Sequence, residues 1–252
     1  MSAAVPADGR PPLLALSTVT RRFGGLAAVD GVDLALRQGA LLCLIGPNGC
    51  GKTTLFNLIT GELAPTSGEI RFDGSRIGGL RPFEVARRGI LRKFQIPGVY
   101  ADLSVAENLR IAAHSRRLRG AGDVDARTTP DALLDLVRLS HRRAVLASDL
   151  PHGERQWLEI AMVVAASPRL MLLDEPTTGM TAAETRATVA LVRDLHAETG
   201  VAAIVIEHDM AFVAELDAPC AFMLRGRIAI EGSFEEVRAA PLVRDAYLGA
   251  AV

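Results

Sequence analysis

Apolar and polar positions change their spacing along the chain, and each change predicts a different kind of element. Short β-like runs crowd residues 13 to 45 (LLALSTV, GVDLAL, ALLCLI), and EIRFDG predicts another strand closed by a turn at Asp73-Gly74. LMLLDE (170 to 175) and AAIVIEHD (202 to 209) are continuous apolar runs that end in polar residues, the pattern of parallel strands buried on both faces. Residues 99 to 165 instead carry helical spacing, in SVAENLRIAAHSRRL, in DALLDLVRL and in a helix that starts near Gly153 and runs through WLEIAMVVAA. The pattern predicts an α/β core at 13–98 and 166–252, β-rich in its N-terminal part, with an inserted helical subdomain at 99–165. Residues 1–12, rich in Pro and Ala, are predicted to be flexible, and RGAGDVDARTTP (119 to 130) has the Gly, Asp and Thr content of a flexible loop.

The apolar run Leu41 to Ile45 leads into Gly46-Pro47-Asn48-Gly49-Cys50-Gly51-Lys52-Thr53, and a helix is predicted over 53 to 60. Two glycines four residues apart, then Lys and Thr, between a strand and a helix, make a phosphate-binding loop. The glycines let the backbone turn its N–H groups inward on a phosphate chain, and the helix adds its positive end. Lys52 would reach the β- and γ-phosphates, and the Thr53 hydroxyl would ligate Mg²⁺. The 28 basic residues include only two lysines, Lys52 and Lys93. A lysine at 52 in an arginine-rich chain suits a site that needs a compact ammonium among crowded oxygens. In open α/β sheets ligands bind beyond the carboxyl ends of the strands, so Asp174, Glu175 and His208 should face the nucleotide.

Composition narrows the class. A chain of 252 residues that is 49% hydrophobic can bury a large core, and a formal net charge of −1 gives no bulk attraction to nucleic acid or anionic lipid. No apolar run reaches the roughly 18 residues needed to span a bilayer, and the N-terminal stretch lacks a signal-peptide segment, so a cytosolic protein tied to a membrane only through a partner is expected. The three cysteines, Cys43, Cys50 and Cys220, are odd in number and lack metal spacing, which reads as reduced thiols. Cys50 lies within the phosphate loop, where a small side chain filling the turn is expected over an oxidation-sensitive thiol, since no neighbouring cation is evident that would lower its pKa.

Further motifs select among the proteins that carry such loops. LMLLDEP (170 to 176) resembles a Walker B strand, Gln95 follows the strand-like ILRKF, LPHGERQ (150 to 156) precedes Walker B as a signature loop would, and His208 follows it. Together these resemble the ATP-binding subunit of an ABC transporter, over nearly the whole chain. The resemblance implies a P-loop NTPase (RecA-like) fold that binds ATP and Mg²⁺. It implies Phe23 as an aromatic platform for adenine, nucleotide contacts from Gly46, Pro47, Asn48, Gly49, Cys50, Gly51, Lys52, Thr53 and Thr54, and Gly153 reaching the nucleotide across a dimer. Thr53, Gln95 and Asp174 would serve the metal. Glu175 would take the proton from the attacking water, with Gln95 near that water and His208 on the γ-phosphate. The implied partners are a second ATPase subunit, integral membrane permease subunits docked on IPGVYADLSVAENL after Gln95, and indirectly an extracytoplasmic solute-binding protein, with the chain peripheral at the cytoplasmic face of the membrane.

The chain departs from the family pattern in several places. The signature usually begins Leu-Ser-Gly-Gly-Gln, and here it is Leu150-Pro151-His152-Gly153-Glu154, so the serine contact is lost unless His152 substitutes. Thr181 stands where many members have Asp, and QWLEI replaces the commoner arginine-rich continuation. These details and the ending RIAIEGSFEEVRAAPLVRDAYLG are most similar to the ATPases of urea and branched-chain amino acid importers, and GILRKFQIP and QWLEIAM lean towards urea. An ABC-type ATPase of repair or translation, not coupled to transport, is the alternative. It would be expected to carry a long coiled coil or tandem cassettes, which this chain lacks. A P-loop kinase would need an acceptor pocket and no signature loop.

Overall fold

The strands separate into two sheets, and the alternation of their side chains shows why. The structure is a computed structural model that describes residues 11–93, 98–118 and 126–248. β1 (Leu14–Phe23) and β2 (Leu26–Leu36) form an antiparallel pair. After an intervening strand, β3 (Leu41–Ile45), the chain adds β4 (Ser67–Phe72) and β5 (Ser75–Arg76), giving a sheet in the order β2-β1-β4-β5. Leu14 and Leu16 point inward, and a register shift at Thr18, with φ 47°, carries Val19 inward as well.

The second sheet contains β3, β6 (Ile90–Lys93), β7 (Leu170–Asp174), β8 (Ala202–Ile206), β9 (Cys220–Leu224) and β10 (Arg227–Gly232), in the order β10-β9-β3-β8-β7-β6. All its pairings are parallel except the β9–β10 hairpin. β3, β8 and β9, and β7 as far as Leu173, are apolar throughout because each face meets a different core. Leu42, Leu44, Leu170, Leu172, Ala202, Ile204 and Ile206 face the first sheet and helix α1 (Lys52–Ile59). Cys43, Ile45, Met171, Leu173, Ala203 and Val205 face the helical side. A strand buried twice cannot alternate with polar residues.

After α2 (Pro82–Arg87), the helical side comprises α3 (Val105–Leu118), α4 (Pro130–Leu136), α5 (His152–Ala165), α6 (Ala182–Thr199) and α7 (Met210–Leu216). Short helices α8 (Phe234–Ala239) and α9 (Pro241–Leu248) follow the last hairpin. α1 and α5 each begin one residue before the sequence pattern suggests. Part of the predicted flexible loop is ordered: residues 126–128 form a 3₁₀ turn and Thr129 caps α4, while 119–125 lie outside the described residues. The β9–β10 hairpin escaped the sequence pattern, although Arg225-Gly226, both at positive φ, stands between two apolar runs as a tight turn does. The three cysteines are free and buried. Among the described residues no helix is long and apolar enough to cross a membrane.

Candidate functional site

β3 delivers the chain into the phosphate loop, and main-chain contacts define the loop's shape. Gly46, Gly49 and Gly51 have φ of 150°, 77° and 109°. A Cβ on Gly46 would lie 2.1 Å from the Met223 carbonyl oxygen, and one on Gly51 would lie 2.2 Å from that of Ala28. Neither neighbour can give way, because both are backbone atoms of strands. The Gly226 N–H donates to the Cys50 carbonyl at 2.9 Å and ties the loop to the β9–β10 turn. Pro47 and Thr54 are half-buried, while Asn48, Gly49 and Thr53 are exposed. Lys52 is buried, and its Nζ donates to the carbonyls of Gly46 at 2.7 Å and Pro47 at 3.1 Å. The same ammonium lies 3.9 Å from Cys50 Sγ, which corrects the expectation that no cation adjoins that thiol. Burial still pushes the Cys50 thiol up, and Lys52 offsets only part of that.

The ends of β7 and β8 carry the acidic and imidazole groups. Asp174 closes β7 and is buried. Glu175 follows it at φ 46°, a conformation that costs a non-glycine residue roughly 1–3 kcal/mol and tends to mark functional sites. It is held by its N–H donating to the Ile206 carbonyl at 3.0 Å and by the Thr178 hydroxyl donating to Oε2 at 3.2 Å. His208 Nδ1 lies 3.7 Å from Glu175 Oε1, with the imidazole half exposed. Glu175 and His208 therefore face each other from neighbouring strand ends.

Two residues that the sequence reading passed over organise these ends. Glu207 is fully buried, and its carboxylate accepts from the Thr177 hydroxyl at 2.6 Å, the Thr177 N–H at 3.1 Å and the His208 N–H at 3.2 Å. It joins the loop after β7 to the start of the His208 segment. Burial pushes its carboxyl up despite these donors. The signal for it was an acid at the end of an otherwise apolar run. Arg92 bridges three elements: Nη2 donates to Asp174 Oδ2 at 2.5 Å, Nη1 donates to Asn57 Oδ1 on α1 at 2.6 Å, and Nη1 lies 3.8 Å from Glu62 Oε1. One guanidinium thus brings the helix after the phosphate loop against the end of β7.

β6 sends its next cation to the opposite face. Lys93 pairs with Glu159 of α5 at 3.3 Å, both buried. Burial pushes the Glu159 carboxyl up, and the Lys93 ammonium offsets part of that. Lys93 and Glu159 also line a cleft of about 460 Å³ between β6, α2, α3 and α5, with Phe83 exposed at its edge. Gln95, two residues further on, lies outside the described residues, as do Phe94, Ile96 and Pro97. In the rest of the expected docking segment Tyr100 is exposed, whereas Val105 and Leu109 are core residues. Asn108, fully buried, accepts from the Tyr100 N–H at 2.7 Å and donates to the Tyr100 carbonyl at 3.0 Å.

The signature loop is held by side chains. Pro151 is the N-cap of α5 with φ −52°, and α5 starts at His152. His152 Nε2 lies 3.0 Å from the Thr178 carbonyl and 3.0 Å from Gln156 Nε2, so the imidazole engages the loop after β7 of its own chain. Gly153 is buried, and the space a Cβ would take is filled by the Glu184 carboxylate. Glu184 completes a capping box with Thr181, which caps α6 through its hydroxyl; threonine performs there the capping that aspartate could. Phe23, at the end of β1, is 46% exposed, with the Arg21 guanidinium 4.7 Å from its ring centroid.

Comparison with known proteins places this geometry. The ABC transporter family profile matches residues 29–178. The chain is 37% identical over 252 residues to the high-affinity branched-chain amino acid transport ATP-binding protein BraF of Pseudomonas aeruginosa, covering 95% of this chain and 99% of that one. It is 34% identical to the corresponding protein LivG of Escherichia coli K12, with the same coverage. Among solved structures it is similar to the ADP conformation of MJ1267, an ATP-binding cassette of an ABC transporter, with a TM-score of 0.81 and 26% identity over 95% of this chain and 100% of that one. Phosphate loop, Walker B end, signature helix and the match along the whole length all agree: the chain belongs to the ABC transporter ATP-binding family of P-loop ATPases.

Proposed function

We propose that the chain is the ATP-hydrolysing subunit of a membrane importer for branched-chain amino acids, acting peripherally at the cytoplasmic face through permease subunits. The observation that carries the catalytic reading is the facing pair Glu175 and His208 at the ends of adjacent strands, with Arg92 holding Asp174 against α1. The phosphate loop would hold ATP through its backbone N–H groups, Lys52, Thr53 and Thr54, its Cβ-free cradle at Gly46 and Gly51 leaving room for close approach. Phe23 would present its exposed ring to adenine. Glu175 would accept the proton of the attacking water, and His208 would contact the γ-phosphate.

Hard oxygen donors fit Mg²⁺: the Thr53 hydroxyl is exposed, and Asp174 Oδ1 is buried with no hydrogen-bond partner. Bound with the nucleotide, Mg²⁺ would supply charge neutralisation at the phosphate oxygens, held by Thr53, Asp174 and Gln95. A second ATPase subunit would present its Gly153 segment to the nucleotide. The engagement of His152 Nε2 by the Thr178 carbonyl of its own chain argues against His152 as the replacement for the missing signature serine. The cleft beside β6 and the exposed Tyr100 suit a docked permease segment.

Likeness to branched-chain amino acid ATPases runs along 95% of the chain, whereas the leaning towards urea rests on two short stretches. Glu175→Gln is expected to bind ATP while hydrolysing it at least ~100-fold more slowly, as loss of a general base does. Uptake of radiolabelled leucine by cells lacking the gene should fall at limiting concentration, with urea uptake measured beside it. Unchanged leucine uptake overturns the solute assignment, and undiminished hydrolysis by Glu175→Gln overturns the catalytic one.

A further inference from the structure

Arg92 stands where a strand, a helix and the acidic end of another strand meet, and its side chain is 5% exposed against 0% for Asp174. A carboxylate this deeply buried is stable only with a partner that supplies charge and hydrogen bonds. Arg92 takes one oxygen, Oδ2, and leaves Oδ1 buried without a partner. The guanidinium is itself braced, since its other terminal nitrogen donates to Asn57 Oδ1 at 2.6 Å and its Cζ lies 5.5 Å from the centre of the Phe56 ring. A planar fork with two fixed contacts holds the orientation of what it grips, which a flexible ammonium would not do.

We propose that Arg92 is a positioning residue: it clamps Asp174 through Oδ2 so that Oδ1 is oriented for the metal that accompanies ATP. The inference rests on the reading of Asp174 as a metal donor. A water-bridged or monodentate metal needs only one carboxylate oxygen, so the clamp and the metal do not compete for the same atom. Asn57, which braces the guanidinium from α1, becomes part of the same support.

The test separates metal from nucleotide, using the full chain. ATP affinity is measured in EDTA, and Mn²⁺ affinity of the ATP-bound protein is measured by electron paramagnetic resonance. Arg92→Met should leave metal-free ATP affinity within about twofold of the parent and weaken Mn²⁺ binding at least ~10-fold. Arg92→Lys, which keeps the charge and loses the fork, should also weaken it, and Asn57→Ala should weaken it by about threefold. Asp174→Asn calibrates the assay. If Asp174→Asn leaves Mn²⁺ affinity unchanged, the metal reading of Asp174 fails. If it weakens Mn²⁺ binding while Arg92→Met does not, the clamp alone fails. Tighter Mn²⁺ binding in Arg92→Met would make Arg92 a competitor and overturn the proposal, as would full parental affinity in Arg92→Lys. Should Arg92→Met not fold, Arg92→Lys and Asn57→Ala still decide.

Discussion

The phosphate loop and the signature loop both precede a helix N-terminus, yet they are held in opposite ways. The first is shaped mainly by main chain: Gly46 and Gly51, at positive φ, lie against the carbonyls of Met223 and Ala28 where a Cβ would stand, and the Lys52 ammonium braces the Gly46 and Pro47 carbonyls from within. The second is shaped by side chains. His152 engages Thr178, Arg142 bonds Glu154 at 3.1 Å, and Arg155 donates to the Ser148 and Leu150 carbonyls at 2.9 and 3.1 Å. Backbone packing tolerates no substitution, whereas a set of side-chain ties can be rebuilt from other residues. That difference explains how Pro151, His152 and Glu154 can stand in a loop whose family pattern is otherwise, while the phosphate loop keeps its glycines.

A single methyl group should break the comparison most sharply. Gly46→Ala is expected to abolish measurable ATP binding and to cost about 4 kcal/mol of stability, because overpacking and backbone strain add at a site that cannot relax. In Gly153→Ala the methyl would meet the Glu184 side chain, which can move aside only by loosening its capping box with Thr181, and the cost should be about 1 kcal/mol. Urea denaturation of the two variants, with ATP titrated by fluorescence, checks both. Similar losses would remove the distinction.

The Lys93–Glu159 pair links the strand before Gln95 to the signature helix, and its removal is the next largest effect. Lys93→Met should cost about 3 kcal/mol because it strands a buried carboxylate, and adding Glu159→Leu should recover most of it. The pH dependence has a definite sign. Burial holds Glu159 above its ordinary value of 4.5, so the folded state binds the proton more tightly than the unfolded chain. The stability this group contributes therefore rises as pH falls from its folded value towards 4.5 and is lost as pH rises through that window. In Glu159→Gln that dependence should be absent from denaturation curves taken across the window.

Smaller effects sharpen the account of the signature side. His152→Ala should cost about 1 kcal/mol, the net worth of its hydrogen bond to Thr178, and should raise hydrogen exchange in the loop that follows β7. Thr181→Ala should cost about 1 kcal/mol by loss of the α6 cap, while Thr181→Asp should fall within roughly 0.5 kcal/mol of the parent. Thermal denaturation of the pair is the check, and an equal loss in both would mean that the hydroxyl does more than cap.

The chain itself determined whatever depends on neighbouring residues. The phosphate loop is legible because its donors are consecutive backbone N–H groups and its glycines and lysine lie within eight positions. The central strands are legible because burial on both faces leaves unbroken apolar runs in β3, β7 and β8. Tertiary structure decided what depends on which strands become neighbours. Arg92 and Asp174 are 82 residues apart and meet only because β6 pairs with β7, so neither the clamp nor its brace on Asn57 leaves a trace in local spacing. Glu207 acquires Thr177 across 30 residues because β8 pairs with β7, and His152 acquires Thr178 across 26 because α5 packs beside the end of β7. A short-range side-chain bond has no periodic signature in the chain when its two ends are brought together by the order of strands in a sheet.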